Sequence, residues 1–479
     1  MTPYVAIKPA ERLLLVAAIF LLATVSAVAA AMGNDLQLFV AFGFAVYAAV
    51  IMAMLVYSRE SDGWFHPLVF MAAYWCVLRF VLPQIPVLIS GLEGHVAMKG
   101  ASASELNFIA GWGFVMSALG WQCFFAAYHL SNPKWRLRLQ NGGISHPTLK
   151  VSIIVGVSAL AFAYLSFEVG GVGKLLMQRS LIAELRPDQQ IEGRHWHFLA
   201  GISAHACVAW FAINHQIWKR PSFIVLFALG LFFDYAATGS RSGLILPLMI
   251  VGTIWTIRER RLPYKVIIVG LVFSIMFIGI AGQLRKSPAQ RAQSNTSVTL
   301  DISPIKQFEF GLRNIVRYGT ETEGLYGVLY NVPDRVDWLY GRSYVSLLFP
   351  FIPSSLLPFE KPPTGGLLSG QLIFKKRKGT GIPPGNVGEA YWNFHIPGIV
   401  VIMCVFGIVM KTLARNFEEQ PENPIVIIVF VYTLFLLQPN SPSFYHWVHG
   451  LVPALITAVL LLGIPKFGLI WRDGADSPA

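Results

Sequence analysis

Charge is scarce in this chain. Asp, Glu, Lys and Arg make up 13% of its 479 residues, about half of what an ordinary soluble domain carries. Acidic residues are the scarcer sign, 25 against 37 basic ones. Cysteine is scarcer still: Cys76, Cys123, Cys207 and Cys404 are the only four, and each falls inside a long apolar run, so no disulfide can staple a polar segment. The phosphate-cradling Gly-rich loop ending in Lys-Ser/Thr is missing, as is a dinucleotide-binding glycine pattern. No polar segment on the expected cytoplasmic side is large enough to hold a sugar nucleotide. These absences disfavour phosphoryl transfer from ATP and synthesis from nucleotide sugars inside the cell. His195, His197 and His205 lie close together, but without the carboxylates or spacing of a metal site. Neither a metal nor another cofactor is therefore expected. No repeat of fixed period and no low-complexity linker appears.

What the chain has in abundance is apolar sequence, 55% of all residues, with a mean hydropathy of +0.57. Runs of about 20 apolar residues are what a helix needs to cross a bilayer. Twelve occur, at 12–32, 36–57, 65–88, 105–130, 149–168, 196–216, 221–237, 243–257, 264–282, 394–413, 424–438 and 447–465. The first is followed at once by the second, so it reads as a span and not as a removable leader. The expected fold is an all-α polytopic membrane protein of about twelve transmembrane helices. With both ends on one side, that side carries seventeen Lys and Arg in its short loops and termini, against six on the other. The positive-inside rule then puts both termini in the cytoplasm. The net charge of +12 is mostly this topogenic charge and implies no nucleic acid.

One polar interruption, residues 283–393, is far longer than the others and falls on the external side. The whole chain, 1–479, is expected to form one integral membrane domain, with 283–393 as an extracytoplasmic loop, or lid, between the ninth and tenth spans. The segment holds thirteen basic and eight acidic residues, a surplus suited to an anionic partner at a membrane surface. Ser303-Pro304 reads as a helix start, and Ile305, Phe308, Leu312, Ile315 and Val316 recur at helical spacing, predicting an amphipathic helix over 304–318. Lys306, Arg313 and Arg317 share one face of it. Thr320 with Glu323 marks a second start. Residues 345–357 are apolar but too short and Pro-rich to span. The prolines from Pro350 to Pro384 predict irregular structure over the remainder of the segment.

Four places carry candidate chemistry. Gly239-Ser240-Arg241-Ser242-Gly243 joins two spans at the outer surface, where hydroxyls, a guanidinium and free amides at a helix start suit an anion; the alternative is a tight turn with a snorkelling arginine. Asp234, about two turns earlier, is placed to orient Arg241. Arg285, where the chain leaves the ninth run, completes a basic cluster with Arg241 and the Lys306/Arg313/Arg317 face. The stretch from Gly385 to His395 reads GNVGEAYWNFH. In it Glu389 can accept a proton from a hydroxyl nucleophile, with His395 as the alternative base. The competing reading is an aromatic belt of Tyr391, Trp392 and Phe394 with Glu389 at a helix start.

Three stretches together resemble the bacterial O-antigen and capsule repeat-unit polymerases of the Wzy type. They are Gly239-Ser240-Arg241-Ser242-Gly243; Tyr340-Gly341-Arg342-Ser343-Tyr344 leading through Ile352-Pro353 to Glu360-Lys361-Pro362; and Gly388-Glu389-Ala390-Tyr391-Trp392-Asn393-Phe394. One large loop before the last three spans fits the same family. The chain departs from the pattern at Ser354-Ser355, where a basic residue is expected after Ile352-Pro353. The resemblance implies a GT-C-like membrane glycosyltransferase of the bacterial inner membrane with a periplasmic active site, working without a metal. It would transfer a glycan from an undecaprenyl diphosphate carrier to the non-reducing end of another lipid-linked repeat unit. Glu389, Arg241 and Arg285 would be catalytic. Arg313, Arg317, Arg342, Lys306, Ser240 and Tyr391 would bind substrate or diphosphate, and a chain-length regulator protein is a conceivable partner. The rivals are an O-antigen ligase acting on lipid A-core and a transporter of lipid-linked sugar. The Tyr-Gly-Arg-Ser-Tyr and Gly-Glu-Ala-Tyr stretches favour the polymerase, and the lopsided layout counts against transport.

Overall fold

A computed structural model describes residues 36–59, 92, 96–132, 135–140, 146–172, 175, 194–238, 241–259, 272, 275–276, 303–317, 320–349, 357–360, 362–376, 381–441 and 443–471. Six helices follow the early apolar runs: α1 (Leu36–Arg59), α2 (Ala103–Leu130), α3 (Pro147–Val169), α4 (Arg194–Ile213), α5 (Pro221–Thr238) and α6 (Arg241–Glu259). The polar segment contributes α7 (Pro304–Arg317), α8 (Thr320–Asn331) and the short α9 (Arg342–Val345) and α10 (Gly365–Leu368). The last three runs become α11 (Gly385–Glu419), α12 (Pro424–Leu436) and α13 (Phe444–Leu462). The runs at 12–32, 65–88 and most of 264–282 lie outside the described residues.

Among the described residues, five stretches are long and apolar enough to cross a membrane by length and composition: Ala103–Leu130, Pro147–Glu168, Trp196–Ile213, Gly385–Glu419 and Phe444–Leu462. Their surfaces fit a lipid solvent. Along α3, Leu149, Ile153, Val157, Leu160, Tyr164 and Phe167 are all exposed, at steps of three and four residues that align them in one outward stripe. In water such a stripe would be a large unpartnered apolar patch.

The described residues are overwhelmingly helical, as expected, but not without a strand: β1 (Trp135–Gln140) pairs antiparallel with β2 (Lys466–Trp471) in a two-stranded ribbon. The alternation Trp-Arg-Leu-Arg-Leu-Gln in β1 suits a strand with two unlike faces. Nor is the Pro-rich stretch irregular throughout. Thr364 accepts from the Leu367 amide through its hydroxyl and so caps α10, which continues as a wider turn to Ile373.

The chain divides into two compact units, and the 283–393 segment is split between them after Arg317. The first unit comprises 1–133, 318–414 and 434–449. In it α1 lies so close to α2 that a Cβ on Gly43 would come 2.7 Å from the Gly111 carbonyl oxygen. Gly407 of α11 lies equally close to α2, where a Cβ would sit 2.2 Å from the Phe124 carbonyl oxygen. Small residues let helix backbones approach where lipid supplies no hydrophobic drive between them. Ser102 and Glu105 form a capping box that starts α2.

The second unit comprises 134–317, 415–433 and 450–479. Its core includes Ala161, Leu165, Leu175 and Ala200, joined by Phe162, Trp196 and Leu199. The Ser158 hydroxyl donates across to the Leu199 carbonyl at 2.7 Å. Helix α7 starts at Pro304 and covers the predicted amphipathic stretch. Of its described side chains, Gln307 is buried, as is Gly311, and Ile305 is 80% exposed; Leu312, Ile315 and Val316 of the predicted stripe are not among the side chains described. Gly311 lies against Ile275, and a Cβ there would overlap the Ile275 carbonyl.

Candidate active site

Helix α11 is one element in two pieces. Phe394 (φ −144°, ψ 21°) and His395 (φ 59°, ψ −154°) leave the helical region, and the cause lies just beyond. Pro397 has no N–H to give to the carbonyl of Asn393, and it disfavours helical geometry at Ile396. The GNVGEAYWN motif is thus a separate short helical piece at the N-terminal end of the span.

Both ends of this N-terminal piece are tied down by backbone and amide groups. At its start, the Asn386 and Val387 amides donate to the carbonyls of Ser441 and Pro439 at 3.0 and 3.1 Å, and the Asn386 side chain donates to the Gln438 carbonyl at 2.5 Å. These bonds use N–H groups that a helix start leaves open. At its end, Leu339 N–H donates to the Trp392 carbonyl at 3.1 Å. The Trp392 indole donates to the Asp337 carbonyl at 3.0 Å. The 437–441 segment is itself anchored by Asn440, whose Oδ1 accepts from the Trp121 indole and from the Tyr47 hydroxyl at 3.3 Å. Asn440 Nδ2 donates to the Ser117 hydroxyl at 3.3 Å.

Glu389 is 3% exposed, and three elements of the first unit meet on it. Its own helix supplies Asn393 one turn on. The Ser343 hydroxyl of α9 faces its carboxyl. Gly365, the first residue of α10, lies against it, so that a Cβ there would stand 2.5 Å from Oε1. Its Oε2 is buried and has no hydrogen-bond partner among the described residues. A buried carboxylate oxygen left in this way costs stability. The Tyr344 phenol stays protonated beside it, pushed well above its ordinary range by burial and, second, by the Glu389 charge.

Asn393 organises this niche. Its Oδ1 accepts from the Gly341 amide at 2.8 Å, and its Nδ2 donates to the Ser343 hydroxyl at 2.8 Å and to the Glu389 carbonyl at 2.7 Å. Gly341 sits at φ +86°, a conformation that admits glycine readily and other residues at a cost.

His395, the alternative base, is not part of this niche. Residues 389 and 393 share one face of the helical piece, and His395 lies past its end, where the backbone has left the helix. The His395 ring packs against Trp338 (5.3 Å between centroids) and Tyr391 (5.1 Å), and Trp338 packs against Tyr391 at 5.4 Å. Arg342 is the first residue of α9 and points to solvent.

The remaining predicted residues belong to the second unit or lie outside the described residues. Arg241 is the first residue of α6, and Arg313 and Arg317 are on α7, but their side chains are not among those described; neither are Arg285 and Ser240. Lys306 is exposed on α7. Asp234 is buried between α4 and α6, so close that a Cβ on Gly201 or on Gly243 would each come 2.8 Å from one of its carboxylate oxygens. Gly243 is two residues beyond Arg241. Near this carboxylate, His205 and the Tyr432 hydroxyl share a hydrogen bond of 2.6 Å.

The sequence motifs contain Ser343 and Asn393 but assign them no role, and sequence reasoning missed Gly365 and Asn440. A signal for Gly365 is present in Thr364-Gly365-Gly366-Leu367, a cap followed by residues without bulk. Nothing local marks Asn440.

Apolar helices with lipid-facing stripes, and a buried carboxylate at the end of one of them, define an integral membrane protein with a polar niche at a helix mouth. The chain belongs to the O-antigen polysaccharide polymerase Wzy family, whose family model matches residues 197–465. This is a family of glycosyltransferase-type polymerases acting on lipid-linked oligosaccharides. No curated protein and no solved structure matches the chain.

Proposed function

We propose that the chain joins lipid-linked oligosaccharide repeat units at the outer face of the bacterial inner membrane, with a GT-C-like arrangement of about twelve spans and both termini in the cytoplasm. The donor is a glycan on undecaprenyl diphosphate, and the acceptor is the non-reducing end of another lipid-linked unit. The observation that carries the reading is Glu389: a buried carboxylate with one oxygen unpartnered among the described residues, in the family-matched part of the chain.

The acceptor hydroxyl attacks the anomeric carbon of the donor, forming the new glycosidic C–O bond. Glu389 takes the hydroxyl proton. The bond from the anomeric carbon to the diphosphate oxygen breaks, and the electron pair leaves with undecaprenyl diphosphate. Arg241, Arg285, Arg313, Arg317, Arg342, Lys306 and Ser240 are assigned to the anionic carrier, whose developing charge fixed cations can stabilise without a metal. Tyr391 is assigned to the glycan, and a chain-length regulator is a partner to be sought.

Reconstitution with lipid-linked repeat units tests the reading. Longer glycan ladders with released carrier diphosphate are expected, and Glu389→Gln and Arg241→Ala should each stop the growth of long chains at normal protein abundance, leaving only a slow residual transfer. Product only when lipid A-core is supplied would make the enzyme a ligase. Movement of substrate without a new bond would make it a transporter.

A further inference from the structure

The hydrogen-bond polarity around Glu389 is fixed by one residue. A carboxamide has one acceptor oxygen and two N–H donors. Asn393 Oδ1 accepts from the Gly341 amide, and a backbone N–H can only donate. The opposite amide orientation would set donor against donor, so the Nδ2 end must face Ser343 and the Glu389 carbonyl, as it does. Both of its protons are then committed. The Ser343 oxygen, having accepted one of them, keeps its own proton to give, and the group it faces is the Glu389 carboxyl. Meanwhile Oε2 stays buried with no partner among the described residues.

We propose that Ser343 and Asn393 are positioning residues for Glu389: Asn393 orients the Ser343 hydroxyl as a donor to the carboxylate, which holds the group in place and leaves Oε2 for the acceptor hydroxyl. This rests on Glu389 being the base of the proposed reaction. The choice of a neutral hydroxyl has a chemical reason. Lys or Arg in the same place would hold the carboxylate by a charge pair and weaken it as a base, whereas one hydroxyl fixes geometry and leaves most of the basicity. The arrangement also links the 341–343 turn to the start of α11, so the base and the loop opposite it keep one geometry.

The test uses the full chain reconstituted with lipid-linked repeat units. Ser343→Ala should lower kcat about tenfold, the loss of one hydrogen bond to a charged group. The acceptor KM should stay unchanged, the melting temperature should fall only as far as the lost Asn393–Ser343 hydrogen bond requires, and Ser343→Thr, which keeps the hydroxyl, should restore the rate. Asn393→Asp keeps the acceptor for Gly341 but removes both donors, and should lower kcat at least as much. In a Glu389→Gln background, Ser343→Ala should leave the residual rate unchanged. An equal loss from Ser343→Ala in that background, or an effect on KM alone, would overturn the positioning role while leaving Glu389 as the base. Full activity of Glu389→Gln by itself would instead remove the reading on which the role rests.

Discussion

Replacing Gly365 with alanine separates catalysis from stability in a way that few substitutions here can. The new methyl carbon would stand 2.5 Å from Glu389 Oε1 and 2.9 Å from its Cδ. Ordinary contact begins near 3.4 Å, so the shortfall at Oε1 is 0.9 Å. The atom in the way is the tip of a flexible side chain and not backbone, so the carboxyl can turn aside with little strain. Alanine is also the better helix former by about 1 kcal/mol. Stability should therefore hold within about 1 kcal/mol in either direction. Activity should not. Displacing a catalytic group by about 1 Å costs roughly a hundredfold in rate, or about 2.7 kcal/mol of transition-state stabilisation. The assay is chain extension from lipid-linked repeat units, read as kcat and acceptor KM, beside a melting curve in detergent. A wild-type kcat for Gly365→Ala would refute the placement of the carboxyl against α10. A large loss of melting temperature would show that the strain falls on the backbone instead.

Two further predictions concern the frame around the site. Asn440→Ala removes the two bonds it accepts, from Trp121 and Tyr47, and the one it donates to Ser117; hydrogen bonds between helices in membranes average about 0.6 kcal/mol each, so unfolding in detergent should show a loss of about 2 kcal/mol, and an unchanged melting curve would count against the network. Gly407→Ala puts a methyl group 2.2 Å from the Phe124 backbone carbonyl oxygen, where no side chain can give way, so the α2–α11 crossing must open; the expected loss of several kcal/mol would appear as low yield of monodisperse protein, and normal yield would disprove the close crossing.

What was legible in the sequence was whatever local chemistry dictates. Ser303-Pro304 and the spacing of Ile305 and Phe308 marked α7 almost to the residue, and a charge among aromatics marked Glu389. Yet the close approach at Gly311 depends on Ile275 and not on the helix itself, so the spacing along α7 could not show it. The ribbon of β1 and β2 was written in the alternation at 135–140, but its partner strand lies at the far end of the chain. Asn440 reaches Trp121 across 319 positions, and Gly365 matters only because Glu389 folds against it. Such residues gain their meaning from contact, which spacing does not record. The fault at Phe394–His395 was different: Pro397 announced it, and the apolar run masked it.

That fault has a consequence for how the enzyme can vary. In an unbroken helix, inserting one residue turns everything beyond it by about 100°, so a span could not lengthen or shorten without swinging Glu389 out of its niche. Here the helix is already broken at Phe394–His395, and the N-terminal piece is clamped at both ends by 337–341 and 437–441. The angular setting of the carboxylate therefore belongs to the loops and not to the helical register of the membrane portion of α11.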